Sequence, residues 1–433
     1  MSEHRKIPTS KVERASRLIK AGGAISLNYV KHYTKKAFQL TSDSSALHQQ
    51  NATTLFEALG ELKGSALKVA QLLSLDTSVL PAEYANQLMR AQHKAPPLSY
   101  PLIVKIFRKE LGKTPDKIFD SFDRQTTYAA SIGQVHRATL QGKQLAVKIQ
   151  YPGVAESVTS DLKMLKPLAL RILKVNAEEA EEFFREVETK LLEETDYENE
   201  MRQSQEMARQ CAGLAGLEFP AYFPEFSSRK VLTMSWLEGM HLDEYLHTNP
   251  SQEERNYYGQ LIWDFYDYQA HVLRTFHADP HPGNFLFMAD NKLGVLDFGC
   301  VKKLPDENYR SLAALFDRHL LNDPQRVEQL LYDLRILLPD DSPPERDFYR
   351  SLFYKGYKLL GKPVLNDVFD FGDTAYMEEV FREGRQLSQM KELRNSKSVR
   401  GTPHAIYVNR TYFGLYMLLH KLGAKIRTRS AYL

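Results

Sequence analysis

The sequence predicts an α+β fold in two lobes, a small one organised around a sheet and a larger helical one. Three observations carry that expectation. Between Asp120 and Gln150 the chain breaks into short strand-like runs, "IFDSF", "GQVHRATL" and, after the turn "LQGK", "QLAVKIQ". From "LEG" after Trp236 to the C-terminal end the apolar residues recur at helical spacing. The main interruption there is "FLFMADNKLGVLDFG", two short strands around a turn at Asp290 and Asn291.

Each element can be justified in order. Residues 1 to 40 hold nine Lys or Arg against Glu3 and Glu13, with Val12, Ala15, Leu18 and Ile19 at helical spacing. Such a segment suits a solvated basic helix first and contact with anionic lipid second. Leu55, Leu59, Leu62, Ala66, Val69 and Leu73 form one stripe of a further helix, and Lys68 and Gln71 stand beside it, three residues apart and facing alike. Pro81 opens "PAEYANQLMRAQ" as a first-turn proline, and "APP" closes it. After the strands, Ala177 to Met201 is strongly acidic and reads as one helix, with Phe183, Val187 and Leu191 on its apolar face. The strand "KVLTMSW" then leads into the helical remainder.

Composition bounds the function. A chain of 433 residues, 43% hydrophobic and 26% charged, is long enough for two cores. Its net charge of +3 balances 57 basic against 54 acidic residues, so no overall field recruits nucleic acid. Cys211 and Cys300 are too few for a disulfide framework and fit a reducing compartment. The nearest approach to a membrane span is "YFGLYMLL", which His420 and Lys421 end. The charged start is unlike a secretory signal. The expected location is cytoplasmic, with peripheral contact at the inner face of a membrane through the basic segment.

The segment "HADPHPGNFLFMADNKLGVLDFG" carries the chemistry. Asp279 and Asn284 lie five apart on one loop and Asp297 follows at the next strand end, gathering oxygen-bearing side chains around one point. Asn284 and Asp297 suffice to hold Mg2+ against a nucleotide, leaving Asp279 to orient a nucleophile. The order H-x-D-x-x-x-x-N and then DFG matches the kinase arrangement. A competing reading makes His277, Asp279 and His281 a transition-metal cluster, although Pro280 and Pro282 restrict that backbone.

Upstream, Lys148 stands in "LAVKIQ" among apolar neighbours and needs a carboxylate partner. Glu194 in the acidic helix is the first candidate and Glu200 the next. The 46 residues from Lys148 to Glu194 require a further helical element between them. Met234, Trp236 and Leu237 lie where a kinase hinge offers backbone groups to adenine. In "YAASIGQVH" the residues Ala129, Ala130, Ser131, Gly133 and Gln134 take the place of a glycine-rich phosphate loop. There Gly133 is read as the one flexible point, and Gln134 and His136 as polar contacts to nucleotide.

With these pieces in order, the chain resembles the UbiB family of atypical protein-kinase-like proteins, also called AarF-domain kinases. "KIPTS", "LKVAQLLS", "AASIGQVHRA", "AVKIQYPGV", "EETDYENEM", "HADPHPGN" and "LDFG" carry the likeness over nearly the whole length. It implies a bilobal protein-kinase-like fold with an N-terminal helical extension folding over the active site. The expected divisions are 1–110 for the extension, 111–238 for the N-lobe with inserted helices, and 239–433 for the helical C-lobe. The resemblance makes Lys148 and Glu194 the ion pair, Asn284 and Asp297 the metal ligands, and Asp279 the catalytic-loop aspartate. Glu200 falls on the second acid of the family's helix. Lys68 and Gln71 fall on the gating signature Lys-x-Gly-Gln, where Ala70 replaces the glycine. Tyr128 departs from the family's alanine, its ring expected to pack under the hairpin.

The implied cofactors are ATP and Mg2+, and the implied activity is slow ATP hydrolysis or phosphorylation of a lipid or isoprenoid small molecule in ubiquinone-type metabolism. Two rivals are kept: a nucleotide-binding pseudokinase-like scaffold of a membrane-associated complex, and a phosphotransferase of the aminoglycoside or choline kinase type.

Overall fold

The computed structural model describes residues 97–129, 132–173, 181–390, 392–393 and 400–433. Lys68, Gln71, Ala70, Ala130, Ser131 and the basic N-terminal segment lie outside the described residues. The described residues fall into two compact units, and the chain leaves the first at Trp236 and enters the second at Leu237. The first holds the described residues up to Arg202, Ala221–Trp236 and the described part of Gly384–Ser398, and the second holds Gln203–Pro220, Leu237–Glu383 and the C-terminal segment. Helix and small sheets together give the α+β fold.

Up to the acidic region the order is α1 (Tyr100–Leu111), β1 (Ser121–Phe122), β2 (Tyr128–Ala129), β3 (Gly133–Leu140), β4 (Lys143–Gln150) and α2 (Val154–Leu173). Then come α3 (Glu181–Glu194), α4 (Tyr197–Gln210), β5 (Leu217–Glu218) and β6 (Val231–Ser235). The strands of the first unit are antiparallel in the order β1-β3-β4-β6, with β2 also paired to β3. β3 and β4 cover the runs the alternation marks, and their two-residue turn puts Gln141 and Gly142 at φ of 50° and 76°. Positive φ at both positions matches the right-handed twist of the flanking strands. Ile103 and Phe107 of α1 pack with Phe119, Val147, Ile149 and Tyr197 in this unit's core. The helix required between Lys148 and Glu194 is present as α2.

The acidic region is two helices rather than one. α3 ends at Glu194, and Asp196 starts α4 by accepting the backbone N–H groups of Glu198 and Asn199, both at 3.1 Å. Gln150, at the end of β4, donates from Nε2 to the Thr195 carbonyl at 2.8 Å and fixes the break. Val187 and Leu191 face the interior as their spacing requires.

The second unit contains α5 (Leu242–His247), α6 (Gln252–Tyr268), β7 (Thr275–His277), β8 (Phe285–Phe287), β9 (Leu293–Val295) and β10 (Val301–Lys303). It continues with α7 (Asp306–Ala314), α8 (Pro324–Asp333), α9 (Pro343–Leu360), α10 (Lys362–Leu365), β11 (Val368–Asp370), α11 (Thr374–Gln389, of which the residues from Gly384 are assigned to the first unit), α12 (Pro403–Leu422) and β12 (Lys425–Arg427). β8 and β9 are the expected short pair, antiparallel, with Asn291 at φ 58° in the turn. Ser251 caps α6 in a reciprocal box with Glu254.

Among the described residues no helix is long and apolar enough to cross a membrane. The apolar run near the C-terminal end belongs to α12, where Leu415, Leu418, Leu419 and Leu422 bury into a core with Ile262, Phe265 and Phe285. Just beyond, the chain is held down by Asp267, whose Oδ2 accepts the Ser430 hydroxyl at 3.1 Å and the Ala431 N–H at 3.2 Å.

Candidate functional site

The first unit presents a buried ion pair. Lys148 is central in β4, between Val135 of β3 and Leu232 of β6 in register. Its Nζ lies 2.9 and 3.0 Å from the two carboxylate oxygens of Glu200, and 5.0 Å from the centre of the Tyr197 ring. The side chains are 7% and 2% exposed, so the charges meet where water screens them little. Glu200, the second of the two candidate acids, is therefore a partner of Lys148 on both oxygens. The reason is the break at Thr195–Asp196, which closes α3 on Glu194 and sets Glu200 in the opening turns of α4. Lys148 and Gln150 are two apart on β4 and so project from one face. One residue holds the helix junction and the other holds the acid that follows it.

Gly133 pairs with Gln150 at the start of β3. A β-carbon there would lie 2.5 Å from the Ile149 carbonyl oxygen and 2.7 Å from the Tyr197 hydroxyl. Its φ is not among the positive values. The position thus requires glycine for close approach, not as a point of flexibility.

Gln134 and His136 are likewise not polar contacts awaiting a ligand. Gln134 Oε1 accepts the Leu98 N–H at 2.7 Å, and its Nε2 donates to His136 Nε2 at 2.7 Å. His136 Nδ1 in turn donates to the Asp123 carbonyl at 2.8 Å. Burial holds the imidazole below its ordinary pKa and hence neutral, as this donor and acceptor pattern demands. Strand alternation turns both side chains to the same inner face. Ala129 is in β2, in register with Gln134.

At the end of the first unit, Met234 pairs with Ala146, and the Trp236 N–H donates to the Gln144 carbonyl at 2.9 Å. The Tyr128 ring does not pack under the hairpin. It is 44% exposed and stacks on Trp236 at 6.2 Å, while the Arg137 guanidinium sits 4.1 Å from the Trp236 ring centre.

In the second unit the pairing of β7 with β10 sets His277 opposite Val301, and the loop from Ala278 to Asn284 leaves from that point. Gln269, in a π turn after α6, accepts the His277 N–H on Oε1 at 2.6 Å. His277 is wholly buried, and burial lowers its pKa. Its Nε2 donates to the Asp297 carbonyl at 2.7 Å, so Nδ1 is the acceptor for the Tyr266 hydroxyl at 3.2 Å. Both ring nitrogens are engaged within the protein, which removes His277 from any metal cluster with Asp279 and His281. Among the described residues no group of three His, Cys, Asp or Glu side chains is arranged to hold a metal.

The same geometry brings Asp279, Asn284 and Asp297 together. Asn284 ends the loop and its carbonyl accepts the Leu296 N–H at 2.8 Å, one residue before Asp297. Asn284 Nδ2 donates to the Asp279 carbonyl at 2.8 Å, so the amide oxygen is the atom of this side chain that could ligate a cation. Asp297 has φ 57°, a left-handed conformation uncommon outside glycine, and its Oδ1 accepts the Gly299 N–H at 3.2 Å. Phe298 is buried against the His277 ring at 4.9 Å. An amide oxygen and a carboxylate are hard donors of the kind Mg2+ takes.

To these the structure adds Arg410, which no sequence motif marks. From α12, 131 residues further along, its Nη2 donates to Asp279 Oδ1 at 2.6 Å.

Comparison with known proteins completes the picture. The family model described as "ABC1 atypical kinase-like domain" matches residues 90–331, more than half of the chain. The chain belongs to this family. These UbiB or AarF-domain proteins include a probable serine/threonine-protein kinase, abkA, of Dictyostelium discoideum, 27% identical and covering 99% of this chain and 79% of its own. Atypical kinase COQ8, mitochondrial, of Saccharomyces cerevisiae is also 27% identical, over 97% of this chain and 83% of its own. The solved complex of Rv3197 with erythromycin from Mycobacterium tuberculosis superposes with a TM-score of 0.58 at 25% identity, covering 89% of this chain and 95% of the other. As an ABC1-family member the chain is a kinase-type protein, and Arg410 lies beyond the segment the family model matches.

Proposed function

We propose that the chain binds ATP with Mg2+ and either hydrolyses it slowly or transfers its terminal phosphoryl group to a lipid or isoprenoid small molecule in ubiquinone-type metabolism. The observation that supports this most is the approach of Asn284 and Asp297 on adjoining strand ends, with Asp279 on the intervening loop. Relatives named COQ8 support the quinone connection.

In this reading Lys148, held charged and oriented by Glu200, addresses the nucleotide phosphates. Leu237, just past the end of β6, offers its backbone groups to the adenine edge, since Met234 is paired with Ala146 and the Trp236 N–H is given to the Gln144 carbonyl. Asp279 orients the acceptor oxygen and receives its proton, and Asn284 with Asp297 holds Mg2+. When bound, the metal neutralises charge on the phosphates. His277 keeps Asp297 in its left-handed conformation through the carbonyl, so the carboxylate direction is set before nucleotide arrives.

The test is Mg2+-dependent ATPase activity of the full chain, with and without anionic liposomes and isoprenoid-quinone precursors. The expected result is Mg2+-dependent turnover that Asp297→Asn lowers about 100-fold or more. Absence of Mg2+-dependent nucleotide binding by thermal shift overturns the proposal. Binding with phosphate release unchanged in Asp297→Asn points instead to the scaffold reading.

A further inference from the structure

Helix α12 turns Tyr407, Arg410 and Gly414 to one face, at spacings of three and four residues. They meet three consecutive residues of the loop after β7. Tyr407 packs with Ala278 and Cys300. Arg410 Nη2 donates to Asp279 Oδ1 at 2.6 Å. Gly414 admits Pro280 so closely that a β-carbon would lie 2.5 Å from its Cγ. Arg410 is 11% exposed and Asp279 27%, so the ion pair sits largely out of water. The segment "HADPHPGN" has no Lys or Arg of its own.

We propose that Arg410 is a positioning residue for Asp279, fixing its carboxylate for the acceptor and supplying the positive charge that the loop itself lacks. The inference rests on the reading of Asp279 as the residue that orients the acceptor. A carboxylate on a loop turns about χ1 and χ2, and a displacement of about 1 Å at a reacting group can lower the rate about 100-fold. With Oδ1 held by Arg410, and Oδ2 directed toward Asn284 Nδ2 at 3.5 Å, the plane of the carboxylate is set. The planar guanidinium has the geometry for this hold, whereas a lysine keeps the charge on a looser stem.

The experiment compares full-length wild type, Arg410→Ala and Arg410→Lys. Four quantities are measured: kcat and KM for Mg2+-ATP, ATP affinity by calorimetry, thermal melting, and amide hydrogen exchange over residues 278–284 without nucleotide. In Arg410→Ala we expect kcat to fall about 100-fold with KM and ATP affinity within about two-fold. Exchange over 278–284 should rise about ten-fold, and Arg410→Lys should recover most of the kcat. The proposal is overturned if kcat falls only as far as folded protein is lost, or if affinity falls as much as kcat and lysine restores neither. If wild type shows no turnover, the functional reading fails separately, and exchange still decides: unchanged protection over 278–284 in Arg410→Ala refutes positioning.

Discussion

Glu200 grips Lys148 with both carboxylate oxygens, at 2.9 and 3.0 Å, above the face of a buried tyrosine. Removing one partner takes from the other its bidentate counter-charge in a site of low dielectric. Glu200→Gln should therefore destabilise the first unit by about 3 kcal/mol. Changing both residues, Lys148→Met with Glu200→Gln, should recover most of that loss. Urea melts of the two variants and wild type check this, and a double variant no more stable than Glu200→Gln alone would count against it.

Gly133→Ala brings a methyl group against the Ile149 carbonyl and the Tyr197 hydroxyl. Neither neighbour can yield easily, since one is backbone and the other is fully buried. The expected penalty is about 1 to 3 kcal/mol, read as a lower denaturation midpoint. If close approach were irrelevant, the alanine would be neutral.

His277→Leu withdraws the N–H that supports the Asp297 carbonyl. The left-handed backbone at Asp297 then loses a fixed partner, and the Mg2+ concentration needed for nucleotide binding should rise several-fold. Titrating Mg2+ at constant ATP measures it. Tyr266→Phe, which removes only the donor to His277 Nδ1, should have the same sign and a smaller effect, about 1 kcal/mol in stability.

Asp267 predicts a pH dependence. Burial raises its pKa from 3.8 to about 6, against the opposing hydrogen bonds from Ser430 and Ala431. His271 lies 3.6 Å away and is itself pushed down to about 4 by burial, so it is neutral and gives no compensating charge. Asp264 adds repulsion. With the folded pKa above the unfolded one, the stabilising contribution is complete below pH 3.8 and is lost as pH rises through about 6. The loss amounts to about 3 kcal/mol at neutral pH. Asp267→Asn should melt higher than wild type at pH 8, and the difference should shrink as pH falls and vanish below pH 3.8. A gain independent of pH would contradict the mechanism.

The parts of this fold that sequence exposes are those where chemistry and period coincide. β3 and β4 show as apolar alternation around a turn that needs positive φ, and Asp279, Asn284 and Asp297 show as a spaced motif. The pairing of Lys148 with Glu200 did not show, because Glu194 and Glu200 both lie in an acidic run. What separates them is a cap at Asp196 and the reach of Gln150 across the sheet. The burial of Gln134 is hidden in the sequence, because a strand's alternation tells which residues share a face, not whether that face is turned inward. Arg410 carries no local signal at all; its role comes from a helix 131 residues away in sequence.

The stacking of Tyr128, Trp236 and Arg137 gives the protein a built-in optical probe. It has two tryptophans, and Trp263 is only 2% exposed in the second unit's core. Emission from that indole should be blue and insensitive to quenchers. Trp236, flanked by a phenol and a cation at the point where the chain leaves its first unit, should emit to the red and respond to iodide. Ligand titrations can then be followed without any label, each of the two indoles reporting on a different unit.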